Sequence, residues 1–173
     1  MSLLTPTPAQ RALKKVLTIS LLNGWSVALF AGLCSLVSLA FGELLGFGVG
    51  LLVVASGVME IHGHRRLKRH QADGLTWLVR SQLFLLSVLL VYAVSRLFSL
   101  DGETVLSNLT PEMETVLSEA GITRADIVQM VQLFFRAFYS AIILATLLYQ
   151  GGLAFFYRRK SPLVIEALTV PGV

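Results

Sequence analysis

The chain has 173 residues, 55% of them hydrophobic and 14% charged, with a mean hydropathy of +0.75. A soluble domain carries about 25% charged residues, so water is the wrong solvent for most of this chain, and the length allows one compact domain. The net charge of +4 lies in short basic clusters between apolar runs, a topology signal rather than a nucleic-acid-binding face.

The N-terminal Thr5-Pro6-Thr7-Pro8 reads as a frayed end. The apolar run that follows predicts a membrane helix over 16–41. Lys14 and Lys15 precede it and Ser38-Leu39-Ala40 faintly resembles a cleavage site. Its apolar stretch is nevertheless far longer than the roughly 7–15 residues of a signal-peptide core, so it reads as a retained helix. It holds Cys34, the one cysteine of the chain, which excludes an intrachain disulfide and predicts a buried, inert thiol. Asn23, Ser26 and Ser38 offer hydrogen-bonding groups there without forming a continuous stripe.

A three-residue link, 41–43, leads to a second helix over 44–61. Gly42, Gly46 and Gly50 make two overlapping G-x-x-x-G steps, and Gly57 and Glu60 continue near the same face. In lipid, packing decides helix association, so this face predicts a close contact with the first helix or with a neighbouring subunit.

Residues 59–70, MEIHGHRRLKRH, contain all three histidines. As a metal site the stretch is poor. On a helix Glu60 and His64 share a face, His62 points away from them, and zinc wants three or four ligands. Two other readings stay open: a proton sensor built on His62, His64 and His70, and a lipid-headgroup surface at Arg65, Arg66, Lys68 and Arg69. The plain reading is a topogenic loop.

A third helix is expected over 75–98, with Arg80, Ser81 and Gln82 toward one end and Tyr92, Ser95 and Arg96 toward the other. The loop 99–126 is acidic and carries only Arg124 as a cation. Thr110, Pro111, Glu112, Glu114 and Gly121 carry start and stop signals for a short amphipathic helix over 111–120, either a lid over a pore or an interfacial spacer. Thr123-Arg124-Ala125-Asp126 reads as a capping box for the fourth helix, over 124–158. The tail after Ser161-Pro162 reads as frayed.

The fold class is therefore an all-α integral membrane protein: a single domain of four transmembrane helices arranged as two αα-hairpins. Ten Lys and Arg flank the spans on one side, at the N-terminal segment, the 65–69 cluster and 158–160. The positive-inside rule then places both termini in the cytoplasm, as in a bacterial inner membrane.

The fourth helix carries a polar series, Gln129, Gln132, Arg136, Tyr139, Ser140, Thr146 and Gln150, mostly along one stripe. It lines a water-filled path or serves as interhelical hydrogen-bonding glue, and Tyr92 and Arg96 of the third helix extend it. Arg136 is the sharpest residue, since intramembrane charge is costly and by default functional. Its expected partner is Glu43 in the outer turn, with an ion-attracting role and plain snorkelling as the rivals.

Catalytic signatures are lacking: there is no Gly-x-Ser-x-Gly, His-Glu-x-x-His or phosphate-binding glycine loop. No catalytic residues, metal or cofactor are expected. The functional expectation is a small homo-oligomeric channel or transport protein favouring anions. The alternative is a non-conducting accessory or scaffold protein that binds anionic lipid or another membrane protein.

Overall fold

Thr7 starts the first helix. Its hydroxyl accepts the Gln10 N–H at 3.2 Å and its own N–H donates to Gln10 Oε1 at 2.9 Å, a capping box with Pro8 at the first helical position. The TPTP segment thus ends in an ordered cap, not in the frayed end its composition predicts. The computed structural model describes residues 6–99, 115, 116, 119, 121 and 123–169.

Helix α1 spans Pro8–Ala40. It closes in a Schellman motif: the Glu43 N–H bonds the Ser38 carbonyl at 2.8 Å, the Gly42 N–H bonds the Leu39 carbonyl at 3.0 Å, and Gly42 sits at φ 73°. Helix α2, Leu44–Lys68, runs without a break through Glu60, His62, Gly63 and His64. It ends in a second Schellman motif, Gln71 N–H to Arg66 carbonyl and His70 N–H to Leu67 carbonyl, each at 3.0 Å. Here the left-handed position is filled by His70, at φ 59°. Helix α3 is Gly74–Phe98.

The capping box expected at Thr123 forms, with the Asp126 N–H on Thr123 Oγ1 at 3.2 Å and the Thr123 N–H on Asp126 Oδ2 at 2.9 Å. Helix α4, Arg124–Thr169, follows it. It continues through Pro162, where a frayed tail was expected. Proline deprives only the Arg158 carbonyl of its helical donor, while Val164, two residues on, is fully buried in the core and holds the segment down. The expected helix over 111–120 falls largely outside the described residues; Gly121, beyond its end, has φ 74°.

All four helices are long and apolar enough to cross a membrane. Each extends past the hydrophobic run that marks it in the sequence, and at 46 residues α4 is about 69 Å long at 1.5 Å per residue.

The chain divides into two units: residues up to Leu89 together with those from Thr146, and Leu90–Ala145. In the first unit α1 and α2 pack antiparallel at very short range. A Cβ added at Gly57 would lie 2.8 Å from the Gly24 carbonyl oxygen, and one at Gly46 would lie 2.9 Å from Ser38 Oγ. A Cβ at Gly50 would collide with Ser35. Gly63 and Gly74 make a comparable approach between α2 and α3, with a Cβ at Gly74 falling 2.6 Å from the Gly63 carbonyl oxygen. The apolar core draws on all four helices at the end that carries the basic clusters, through Val16, Leu67, Leu78 and Tyr157. Cys34 is not buried, as expected of it, but exposed on α1; Ala31 and Ser35 are the residues there that turn inward.

In the second unit Tyr92 of α3 meets Tyr139 of α4 edge-on, ring centroids 6.5 Å apart, and the Arg96 guanidinium stands 5.5 Å from the Tyr92 ring. Phe135 stacks on Tyr139 and Phe134 on Phe138.

Candidate functional site

The first unit contains a layer of buried polar side chains, one from each helix. Asn23 on α1 lies eight residues past Lys15, and Glu60 on α2 lies eight before Lys68. Gln82 lies eight past Gly74 at the start of α3, and Gln150 on α4 eight before Arg158. Asn23 bonds Glu60 and Gln82 lies beside it, so these three meet at one level, with Gln150 buried on α4.

Glu60 is the centre. It is 1% exposed, its Oε2 accepts Asn23 Nδ2 at 2.6 Å, and its Oε1 accepts the Tyr157 hydroxyl at 2.8 Å. The Tyr149 hydroxyl, on a residue 57% exposed, donates to Asn23 Oδ1 at 2.9 Å. A chain of hydrogen bonds therefore runs from the flank of α4 through Asn23 to the Glu60 carboxyl group and on to Tyr157. Around it, Ser56 Oγ donates to the Ser81 carbonyl at 3.1 Å, and Ser20 Oγ lies 3.1 Å from His64 Nδ1.

The layer is incompletely satisfied. Gln82 is fully buried beside Glu60, yet neither its Nε2 nor its Oε1 has a hydrogen-bond partner of ordinary geometry, and Gln150 Oε1 is likewise unpartnered. Each idle group in a dry interior costs about 1–3 kcal/mol. A water molecule or a small polar guest beside Gln82 would recover part of that.

The three histidines separate. His64 turns to Ser20 of α1. His62 accepts Arg66 Nε at 3.0 Å and meets Trp77 of α3 edge-on at 5.1 Å. His70 occupies the left-handed C-cap of α2. Among the described residues no group of three or more His, Cys, Asp or Glu stands close enough to hold a metal ion. In the basic cluster, Arg66 is engaged in an ion pair with Asp73 as well as with His62, while Arg65, Lys68 and Arg69 are exposed.

The polar series of α4 is split between the units. Gln129, Arg136 and Ser140 are exposed in the second unit, with Gln132 and Tyr139 half-buried, whereas Thr146 and Gln150 are buried in the first. Tyr92, Arg96 and Tyr139 come together in the second unit. Glu43 belongs to the first unit and Arg136 to the second. Of the glycines on the α2 face, Gly46, Gly50 and Gly57 meet α1, and Gly42 forms the turn.

Sequence reasoning singled out Asn23, Glu60, Gln82 and Gln150 one at a time and did not join them. The signal available was the eight-residue spacing from Lys15, Lys68 and Arg158 on three of the helices. Tyr157 was not singled out, although a tyrosine just before a basic cluster points its hydroxyl back toward the start of its helix. No protein-family model matches the chain, and no curated protein or solved structure matches it either.

Proposed function

We propose that the protein is a small homo-oligomeric channel or transport protein of a bacterial inner membrane. Both termini are cytoplasmic, the helices pair as two αα-hairpins, and the Gln129–Ser140 face of α4 lines a polar path. The observation that carries this reading is the exposure of Arg136 on a helix of membrane-spanning composition, beside exposed Met130 and Leu133. An arginine facing hydrocarbon at the centre of a span costs about 2.5–3.5 kcal/mol even on the mildest scale. Another copy of the chain with water between removes that cost. Four slim helices leave little room for a conduit inside one subunit, so the path forms between subunits, and Arg136 gives it a preference for anions.

Purified protein in liposomes tests the reading. Anion flux above that of empty vesicles is expected, together with a large loss of flux in Arg136→Ala. Absence of flux, or wild-type flux in the variant, refutes it.

A second reading is supported by the sealing of the first unit, where Asn23, Glu60 and Tyr157 are buried and bonded to one another. In it the protein is a non-conducting accessory or scaffold, the Arg136 face docks on a different membrane protein, and the 65–69 cluster meets anionic lipid. Recovery of a stoichiometric foreign membrane protein in native purification, with no flux, selects it.

A further inference from the structure

A cleft of about 330 Å³ opens between α3 and α4 at the basic end of the first unit. Arg80 and Arg158 line it, Thr76 and Ser161 add two hydroxyls, and Val79 and the Tyr157 ring form apolar wall. Both arginines are exposed. Among the described residues neither makes an ion pair or a side-chain hydrogen bond. Arg66, by contrast, is held by Asp73 and His62. Arg80 and Arg158 therefore hold positive charge that no described acid pairs, beside an open cleft away from the 65–69 cluster.

We infer that this cleft binds the phosphodiester headgroup of an anionic phospholipid. Two guanidinium groups and two hydroxyls match a tetrahedral oxyanion, since arginine donates in pairs to phosphate oxygens. The volume suits a headgroup and excludes two acyl chains. The surface toward the middle of the span supplies a track for those chains. Leu83 lies three residues beyond Arg80 and Phe155 three residues before Arg158, each one turn deeper on the same helix face, and they are 49% and 65% exposed. A free phosphate ion would use the arginines and hydroxyls but leave this apolar track bare, so the lipid is the occupant that uses the whole feature. Arg80 lies about 9 Å from the start of α3 at 1.5 Å per residue, within reach of the headgroup level. The site is independent of the conduit proposed above, because it uses no residue of the Gln129–Ser140 face.

Native mass spectrometry of the intact protein, exchanged from detergent into nanodiscs containing equal phosphatidylglycerol and phosphatidylcholine, reads the site directly. Wild type is expected to retain phosphatidylglycerol selectively. Arg80→Ala/Arg158→Ala is expected to hold it at least about tenfold more weakly, through the loss of charge-assisted hydrogen bonds to the phosphate. Arg11→Ala/Lys14→Ala, exposed on α1 and with the same change in net charge, is expected to bind as wild type. Equal losses in the two double variants would show charge attraction without a site and overturn the inference, as would no loss in either. Arg80→Lys/Arg158→Lys guards against misfolding: an affinity between wild type and the alanine variant supports bidentate phosphate recognition, and wild-type affinity overturns it. Titration with inorganic phosphate separates the two sources of the anion. Failure of phosphate to displace the lipid supports a lipid site, and displacement at equimolar phosphate overturns it.

Discussion

Alanine in place of Gly57 should part α1 from α2, and the structure sets the size of the effect. A Cβ at this position would lie 2.8 Å from the Gly24 carbonyl oxygen and 2.9 Å from both the Ala28 Cβ and the Ala28 nitrogen. Carbon atoms rest comfortably at about 3.5–4.0 Å. Two of the three neighbours are backbone, so no side-chain rotation relieves the overlap and the helices themselves must shift. Overpacking of this kind costs about 1–3 kcal/mol. Gly48, on the same helix, is the control, because a Cβ there meets nothing within 4 Å. Both residues are inside α2, so the backbone-entropy gain of roughly 1 kcal/mol from removing a helical glycine is shared and cancels in the comparison. Gly57→Ala should therefore be less stable than Gly48→Ala by about 1–3 kcal/mol, about 5- to 150-fold in the unfolding equilibrium. Reversible unfolding in mixed micelles, followed by Trp25 and Trp77 fluorescence and by circular dichroism, measures it. Equal stability of the two variants would mean that the α1–α2 contact is not as close as described.

Three further outcomes are expected. His70→Gly should raise stability by about 1 kcal/mol, because glycine takes the left-handed C-cap of α2 without the strain a side chain brings there; the same unfolding assay reads it, and destabilisation would refute the cap. Tyr157→Phe should lower stability by about 1.5–3 kcal/mol, since it strips one oxygen of the buried Glu60 carboxyl group of its donor. Tyr149→Phe, at a half-exposed position farther along the chain of hydrogen bonds, should cost about 1 kcal/mol or less, and a reversed order would remove Glu60 from the centre of the network. Cys34, exposed on α1 eight residues before Gly42 in the α1–α2 turn, should resist charged thiol reagents in intact membranes and react in detergent. Rapid labelling by a charged maleimide in sealed vesicles would place that face in water.

The four helices were readable because an apolar run of membrane length has few other solutions. Their ends were not readable on hydropathy alone. Pro162 and the polar residues around it look like a stop, and only the burial of Val164 against the core, a tertiary contact, carries α4 on to Thr169. Cys34 misled for a related reason: an apolar neighbour sequence means core in a soluble protein, but in a membrane helix it equally means the outward face. The histidine segment was legible through helical periodicity, which sends His62 and His64 to different neighbours once α2 is continuous. The cleft between Arg80 and Arg158 was hidden, because one arginine stands on each of two helices 78 residues apart and nothing local links them.

The polar layer also bears on how the chain is made. A membrane helix enters the bilayer before it finds its neighbours, and each of these four brings one buried amide or acid, α4 carrying Gln129 and Gln132 besides. That distribution keeps every helix individually insertable: α2, which bears the acid, has the highest mean hydropathy of the four. Once all are inserted, Asn23 and Tyr157 offer Glu60 the hydrogen bonds that lipid withholds. A helix from another protein, or one of these shifted by a turn, would bring no matching donor to Glu60. The layer thus ties the pairing of α1, α2 and α4 to the register of three side chains, Asn23, Glu60 and Tyr157.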